Sequence, residues 1–158
     1  MPDINIRRVK KSDTDFILNL LPSLADPELP HWRDPDVMLD IDQRILKSEI
    51  HDGSEDNAIF IAEDVETKQQ LGFIFLEIGT DYYHREPHGH IADIIVSPEA
   101  RGRGIGKMMM AKAEEWTKDC GYKLLTLNVF DDNKKARKLY KSLGFSPDLT
   151  KYGKILNS

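Results

Sequence analysis

Ile94-Ile95-Val96-Ser97-Pro98-Glu99-Ala100-Arg101-Gly102-Arg103-Gly104-Ile105-Gly106-Lys107 runs from an apolar, strand-like stretch through a proline and a glycine-rich turn into an amphipathic helix. A helix starting there leaves its first backbone N–H groups unpaired and the positive end of its dipole aimed at one point, an arrangement that favours a phosphate. Glycines at 102, 104 and 106 let the backbone approach a ligand without a Cβ in the way, and Arg101, Arg103 and Lys107 add positive charge beside it. The standard nucleotide signatures do not fit: Gly102-x-Gly104-x-Gly106 lacks the later glycine of G-x-G-x-x-G, and there is no G-K-[ST].

Downstream, Ile105, Met108, Met109, Ala113, Trp116 and Cys120 recur on one face of a helix that Gly121 ends. The methionines read as core, and Cys120 as a buried, inert thiol on that face, not as a nucleophile carrying an acyl group. Lys123 to Phe130 is an apolar-rich strand and Asp131-Asp132-Asn133 supplies capping residues. Ala136, Leu139, Tyr140 and Leu143 form the stripe of a further helix ending at Gly144, and the last strands are expected from Phe145 to about Leu156.

Upstream, Ile4 to Val9 alternates as a half-buried strand, and Ser12-Asp13 precedes a helix through Phe16, Ile17, Leu20 and Leu21. Prolines at 22, 27, 30 and 35 mark a loop, a candidate lid, before a second helix through Val37, Ile41, Ile45 and Leu46. Asn57 to Ala62 and Gln70 to Ile78 read as a hairpin of strands, His90 to Val96 as a third, and Tyr82 to Gly89 as the loop between the last two. The order β-α-α-β-β-β-α-β-α-β describes one α/β domain over residues 1–158, with no internal repeat.

The composition agrees with one domain: 158 residues, 40% hydrophobic, and no apolar run long enough to span a membrane. Cys120 has no partner for an internal disulfide, and no secretory signal is evident, so a cytoplasmic setting is expected. The net charge of −5 conceals an asymmetry. Residues 101–158 carry 13 basic against 6 acidic side chains, whereas residues 1–100 carry 9 against 21. The basic part suits a phosphate-bearing ligand; the acidic part suits a cation and repels nucleic acid.

Val96-x-Pro98-x-x-Arg101-Gly102-x-Gly104-Ile105-Gly106 resembles the acetyl-CoA-binding motif of the GCN5-related N-acetyltransferase (GNAT) superfamily. Leu127-Asn128-Val129 followed by Asn133-x-x-Ala136-x-x-x-Tyr140-x-x-x-Gly144-Phe145 is similar to that family's next strand and helix. The resemblance implies a GNAT-like α/β fold, with a mixed central sheet of about six to seven strands flanked by about four helices. It implies acetyl-CoA as co-substrate, lying between the strand ending at Val96 and the strand from Lys123, with Ile94, Ile95 and Val96 holding the pantetheine arm through the main chain. The pyrophosphate would rest on N–H groups from Arg101 through Lys107, including Arg103 and Ile105, and Asn133 would contact the arm or cap its own helix. Relatives are frequently dimers, so a homodimer is left open.

Acetyl transfer to an amine requires a neutral amine, a stabilised oxyanion and a proton for the departing thiolate. The resemblance assigns the last to Tyr140 and the oxyanion contact to a backbone N–H near Ile94 or Ile95. An alkylamine is protonated at neutral pH, so a base is needed, and Asp93 leads, with Glu77, His84, His88 and His90 as alternatives. Relatives acting on polyamines often carry a Glu-Asp pair where this chain has Ala92-Asp93. No metal-binding pattern is present in the sequence and the reaction needs none. The expected function is N-acetylation of a small cationic primary amine by direct attack. Acetylation of a protein or peptide, and a non-catalytic acyl-CoA-binding module, are the competing readings.

Overall fold

The structure, a computed structural model, describes residues 3–25 and 29–157. Pro27, in the proline-rich stretch, therefore lies outside the described residues. Strands β1 (Ile4–Arg8), β2 (Ala58–Asp64), β3 (Gln70–Thr80), β4 (Pro87–Val96) and β5 (Leu125–Leu127) form one sheet in the order β1-β2-β3-β4-β5. The first three pairings are antiparallel; β4 and β5 run parallel. Helices α1 (Thr14–Leu20), α2 (Pro35–Asp52), α3 (Ile105–Asp119) and α4 (Lys134–Ser142) complete it, and none of the described helices is long and apolar enough to cross a membrane.

Both faces of the sheet are covered, which explains why β2 and β3 read as continuous apolar runs. On one face Ile74, Leu76 and Ile91 pack with Ile105, Met109, Ala113 and Trp116 of α3, and Tyr140 of α4 and Leu143 at its C-cap lean on the same core. On the other, Ile61, Phe73, Phe75 and Ile95 pack with Ile17, Leu46 and Ile50 of α1 and α2. The inward stripe of α2 is Leu39, Leu46 and Ile50; Val37, Ile41 and Ile45, which the sequence proposed as its apolar side, are exposed.

The mixed α/β architecture is the expected one, with differences at the margins. Among the described residues the sheet has five strands, not six to seven, because residues 145–157 form no strand. Apolar residues alone do not make one: a strand needs an edge to pair with, and Leu149, Tyr152 and Leu156 stand 75%, 91% and 81% exposed. The strand expected over Lys123 to Phe130 shrinks to three residues, because its pairing with β4 extends only over Gly89 to Ile91. β4 begins at Pro87, so the loop expected to Gly89 closes sooner, as a hairpin tip over 81–86. Cys120 is exposed: it follows the last turn of α3, where the helical stripe no longer faces the core.

Candidate active site

The turn before α3 is built on two glycines with positive φ, Gly102 at +84° and Gly104 at +77°, a region that side chains rarely adopt. Gly104 is the N-cap and carries no side chain that could cap the helix, so the N–H groups of Ile105, Gly106 and Lys107 are presented to whatever lies in front. What lies in front is open: a Cβ built on Gly102 or Gly104 would meet nothing within 4 Å. A cleft of about 440 Å³ is walled by Ile94 and Val96 of β4, by Ala100, Arg101, Gly102 and Gly104 of the turn, and by Ile105, Gly106, Lys107 and Met110 of α3. Leu139 and Tyr140 of α4 and Leu143 just past it close its far side.

The cleft meets a split in the sheet. Among the described residues the parallel ladder between β4 and β5 ends at Ile91↔Leu127, so β4 from Ala92 to Val96 turns an unpaired edge towards the gap. An extended ligand arm can add to such an edge as a strand would. Tyr140 stands half-buried at the cleft, its ring edge-on to Phe145 with centroids 6.0 Å apart. Burial raises its phenol above the usual value, so it keeps its proton and can donate it.

Asp93 lies across the strand. Phe75 pairs with Asp93 and Leu76 with Ile91, leaving Ala92 as the extra residue of a β-bulge. The bulge places Asp93 beside Phe75 on the α2 face, while Ile94, paired with Ile74, faces the cleft. Asp93 is pushed up to about 7, first by burial and then by the charges of Asp42 on α2 and Glu77 on β3. Glu77 is raised by burial and by Glu49, and Asp42 by burial. A carboxyl that titrates near neutrality can take a proton from an amine and release it to water.

The histidines divide. His90 Nδ1 lies 2.7 Å from Thr126 Oγ1, bridging β4 to β5, and burial followed by the charge of His88 lowers its pKa. His88 Nδ1 is buried without a hydrogen-bond partner among the described residues. His84 is exposed at the hairpin tip, its Nδ1 3.0 Å from Asp81 Oδ2, and joins neither wall of the cleft.

Of the remaining positions singled out in the sequence, Ile95 is buried in the α2-side core and offers the gap its backbone alone. Arg103 Nη2 lies 3.4 Å from Asp64 Oδ2, and Arg103 does not line the cleft. Asn133 caps α4, its Oδ1 accepting from the Ala136 N–H at 3.2 Å, and also stays off the cleft wall. Cys120 lies just past the other end of α3, exposed and away from the cleft. Met110, Leu139 and Leu143 were missed as cleft residues because their apolar spacing signals only core. Asp42 and Glu49 were missed because nothing local marks a carboxylate of α2 as facing the sheet.

A profile of the Acetyltransferase (GNAT) family matches residues 19–145. The chain is 32% identical to the thialysine N-epsilon-acetyltransferase of Sus scrofa over 158 aligned residues, spanning 95% of this chain and 88% of that protein. Two solved structures share the fold. One is an aminoglycoside N-acetyltransferase in complex with CoA, at 22% identity and a TM-score of 0.71, covering 98% of this chain and 96% of the other. The second is an aminoglycoside antibiotic 6'-N-acetyltransferase from Acinetobacter baumannii, at 19% identity and a TM-score of 0.72, covering 98% and 100%.

Proposed function

The chain belongs to the GNAT family of acetyltransferases, and from that premise we propose that it moves the acetyl group of acetyl-CoA to a primary amine of a small cationic molecule by direct attack. The observation that carries this reading is the split between β4 and β5. The glycine cradle and Tyr140 stand on one side of β4, Asp93 stands on the other, and the unpaired edge of β4 lies between them. A thioester laid along that edge has the cradle at its phosphate end, Tyr140 on the sulfur side and the acidic face across the strand. Support for a small amine as acceptor comes from the relatives, whose names give thialysine and aminoglycosides as substrates. Exclusion of nucleic acid as acceptor belongs to the same proposal and is supported by the acidic first hundred residues, and so does a cytoplasmic setting, supported by the lone Cys120.

In the proposed step Asp93 accepts a proton from the incoming ammonium, and the freed nitrogen attacks the thioester carbonyl. A backbone N–H of β4 near Ile94 or Ile95 steadies the oxyanion. As the intermediate collapses the C–S bond breaks, Tyr140 gives its proton to the departing thiolate, and the proton lost from the new amide nitrogen restores the phenol through water. Arg101 and Lys107, with the N–H groups of the first turn of α3, hold the pyrophosphate.

The test is incubation of the purified protein with isotope-labelled acetyl-CoA and either thialysine or a mixture of cytoplasmic metabolites, followed by mass spectrometry, with Tyr140→Phe alongside. Labelled amine from the wild type, reduced at least about tenfold in the variant at unchanged acetyl-CoA affinity, supports the reading. Binding without any labelled product points to the non-catalytic module instead.

A further inference from the structure

Asp42 occupies a position that helix periodicity reserves for the core. The inward stripe of α2 runs Leu39, Leu46, Ile50, and residue 42 falls on it, one turn before the fully buried Leu46. The side chain there is a carboxylate, half-buried, with no hydrogen bond or ion pair among the described residues. Its neighbours on the same helix show the contrast: Asp40 pairs with Arg44 at 3.1 Å, and Asp34 caps the helix.

The surroundings do not compensate it. Asp93 of β4, paired with Phe75, and Glu77 of β3, two residues beyond Phe75, stand on the face of the sheet that α2 covers, neither with an ion pair or a hydrogen-bond donor on its carboxylate among the described residues. Glu49, further along α2, accepts from Asn57 Nδ2 at 3.0 Å, and the nearest basic candidate on β4, His90, is turned to Thr126. A half-buried, unpaired negative charge costs free energy unless a cation joins it. Apolar substitution at 42 would fit the stripe better, so the retained charge calls for a cation that comes and goes. The acceptor amine, arriving protonated beside Asp93, is that cation.

Resting on the acetyl-transfer reading above, we propose that Asp42 is the acceptor-positioning residue, holding the incoming ammonium from the α2 wall while Asp93, on the opposite β4 wall, takes its proton. The acceptor class narrows accordingly to amines that enter as cations; an uncharged amine gains nothing from the α2 wall. Asp42 does not touch the thioester and has no part in binding CoA.

The experiment compares wild type, Asp42→Asn and Asp42→Glu. Thialysine binding to the CoA-bound protein is measured by calorimetry, acetylation of thialysine by steady-state kinetics, and the Asp93 carboxyl is titrated by carbon NMR. Asp42→Asn should weaken thialysine binding and raise its KM about tenfold, with kcat within about twofold and acetyl-CoA affinity unchanged. The Asp93 midpoint and the acid limb of kcat/KM should both move to lower pH, because a like charge has gone. Asp42→Glu should restore binding. Unchanged thialysine binding and KM in Asp42→Asn, in a protein that does acetylate thialysine, overturns the inference and leaves the proposed function standing. A wild type that neither binds nor acetylates thialysine or any metabolite amine overturns both.

Discussion

Asp93 and Ile94 are consecutive in β4 and face opposite sides of the sheet, Asp93 towards α2 and Ile94 into the cleft before α3. The bulge at Ala92 sets that division. One backbone thus serves two chemistries: an acidic face for a cationic acceptor and a glycine-lined face for a phosphate-bearing donor.

With Asp93 as base, kcat/KM should be high above about pH 7 and fall as the pH drops through that value, since the carboxyl is pushed up to about 7 and must be ionised to work. The same shift affects stability with the opposite sense. Ionising a carboxyl whose folded value is raised costs folded-state stability above its unfolded value, so the cost grows from about pH 4 to about pH 7 and then levels. Asp93→Asn should therefore lose activity while raising the urea midpoint at pH 8, with no gain at pH 3.5.

Gly104→Glu should abolish acetyl-CoA binding in calorimetry, because it sets a carboxylate at the N-terminus of α3. Gly104→Ala separates charge from backbone. The positive φ of +77° costs an alanine about 1 kcal/mol of stability, but its methyl group enters open space, so affinity should fall far less.

Two arginines two residues apart should differ. Arg101 lines the cleft, whereas Arg103 is engaged with Asp64 at 3.4 Å. Arg101→Ala should weaken acetyl-CoA binding about tenfold and Arg103→Ala by less than about twofold. Equal losses would show that Arg103 leaves Asp64 when the donor arrives.

Away from the site, Asp13 is 1% exposed and accepts from Arg7 Nη1 and Nη2 at 2.8 and 2.9 Å, from the Lys10 N–H at 2.7 Å and from Gln70 Nε2 at 2.7 Å. Burial alone would raise its pKa, but the bonds from Arg7, Lys10 and Gln70 outweigh it and hold the carboxyl below its usual value. That stability is present above the unfolded value near 4 and is lost as the pH falls through the lower folded value. Asp13→Ala should cost about 3 kcal/mol at pH 7 in urea denaturation, by leaving Arg7 with Glu63 alone and the Lys10 N–H and Gln70 amide without their acceptor, and less in acid.

Much of the fold was legible from local pattern. Ile105, Met109, Ala113 and Trp116 of the expected stripe are the buried face of α3, although Met108, expected among them, stands 38% exposed, and Gly121 and Gly144, at φ +86° and +95°, end their helices where the spacing placed them. The cleft residues Arg101, Gly102 and Gly104 to Lys107 could be picked out for the same reason, Arg103 apart: a glycine turn entering a helix is a local structure with a local electrostatic consequence. Where local pattern misled, a distant partner was missing or present. Among the described residues Phe145 to Leu156 found no strand edge, Cys120 fell one position past the helix, and Val37, Ile41 and Ile45 were apolar on a side of α2 that no described neighbour covers.

By itself, then, the amino-acid order determined the glycine cradle, the helices on either side of it and Tyr140 on the stripe of α4, because backbone conformation and side-chain periodicity depend on residues a few positions apart. Only the tertiary structure decided what Asp93 is. Its proton affinity comes first from burial under α2, then from Asp42, 51 positions earlier, and from Glu77 on the neighbouring strand. Those distances in sequence become electrostatic neighbours only after the sheet has formed and α2 has docked on it, since charge and desolvation act through space and not along the chain.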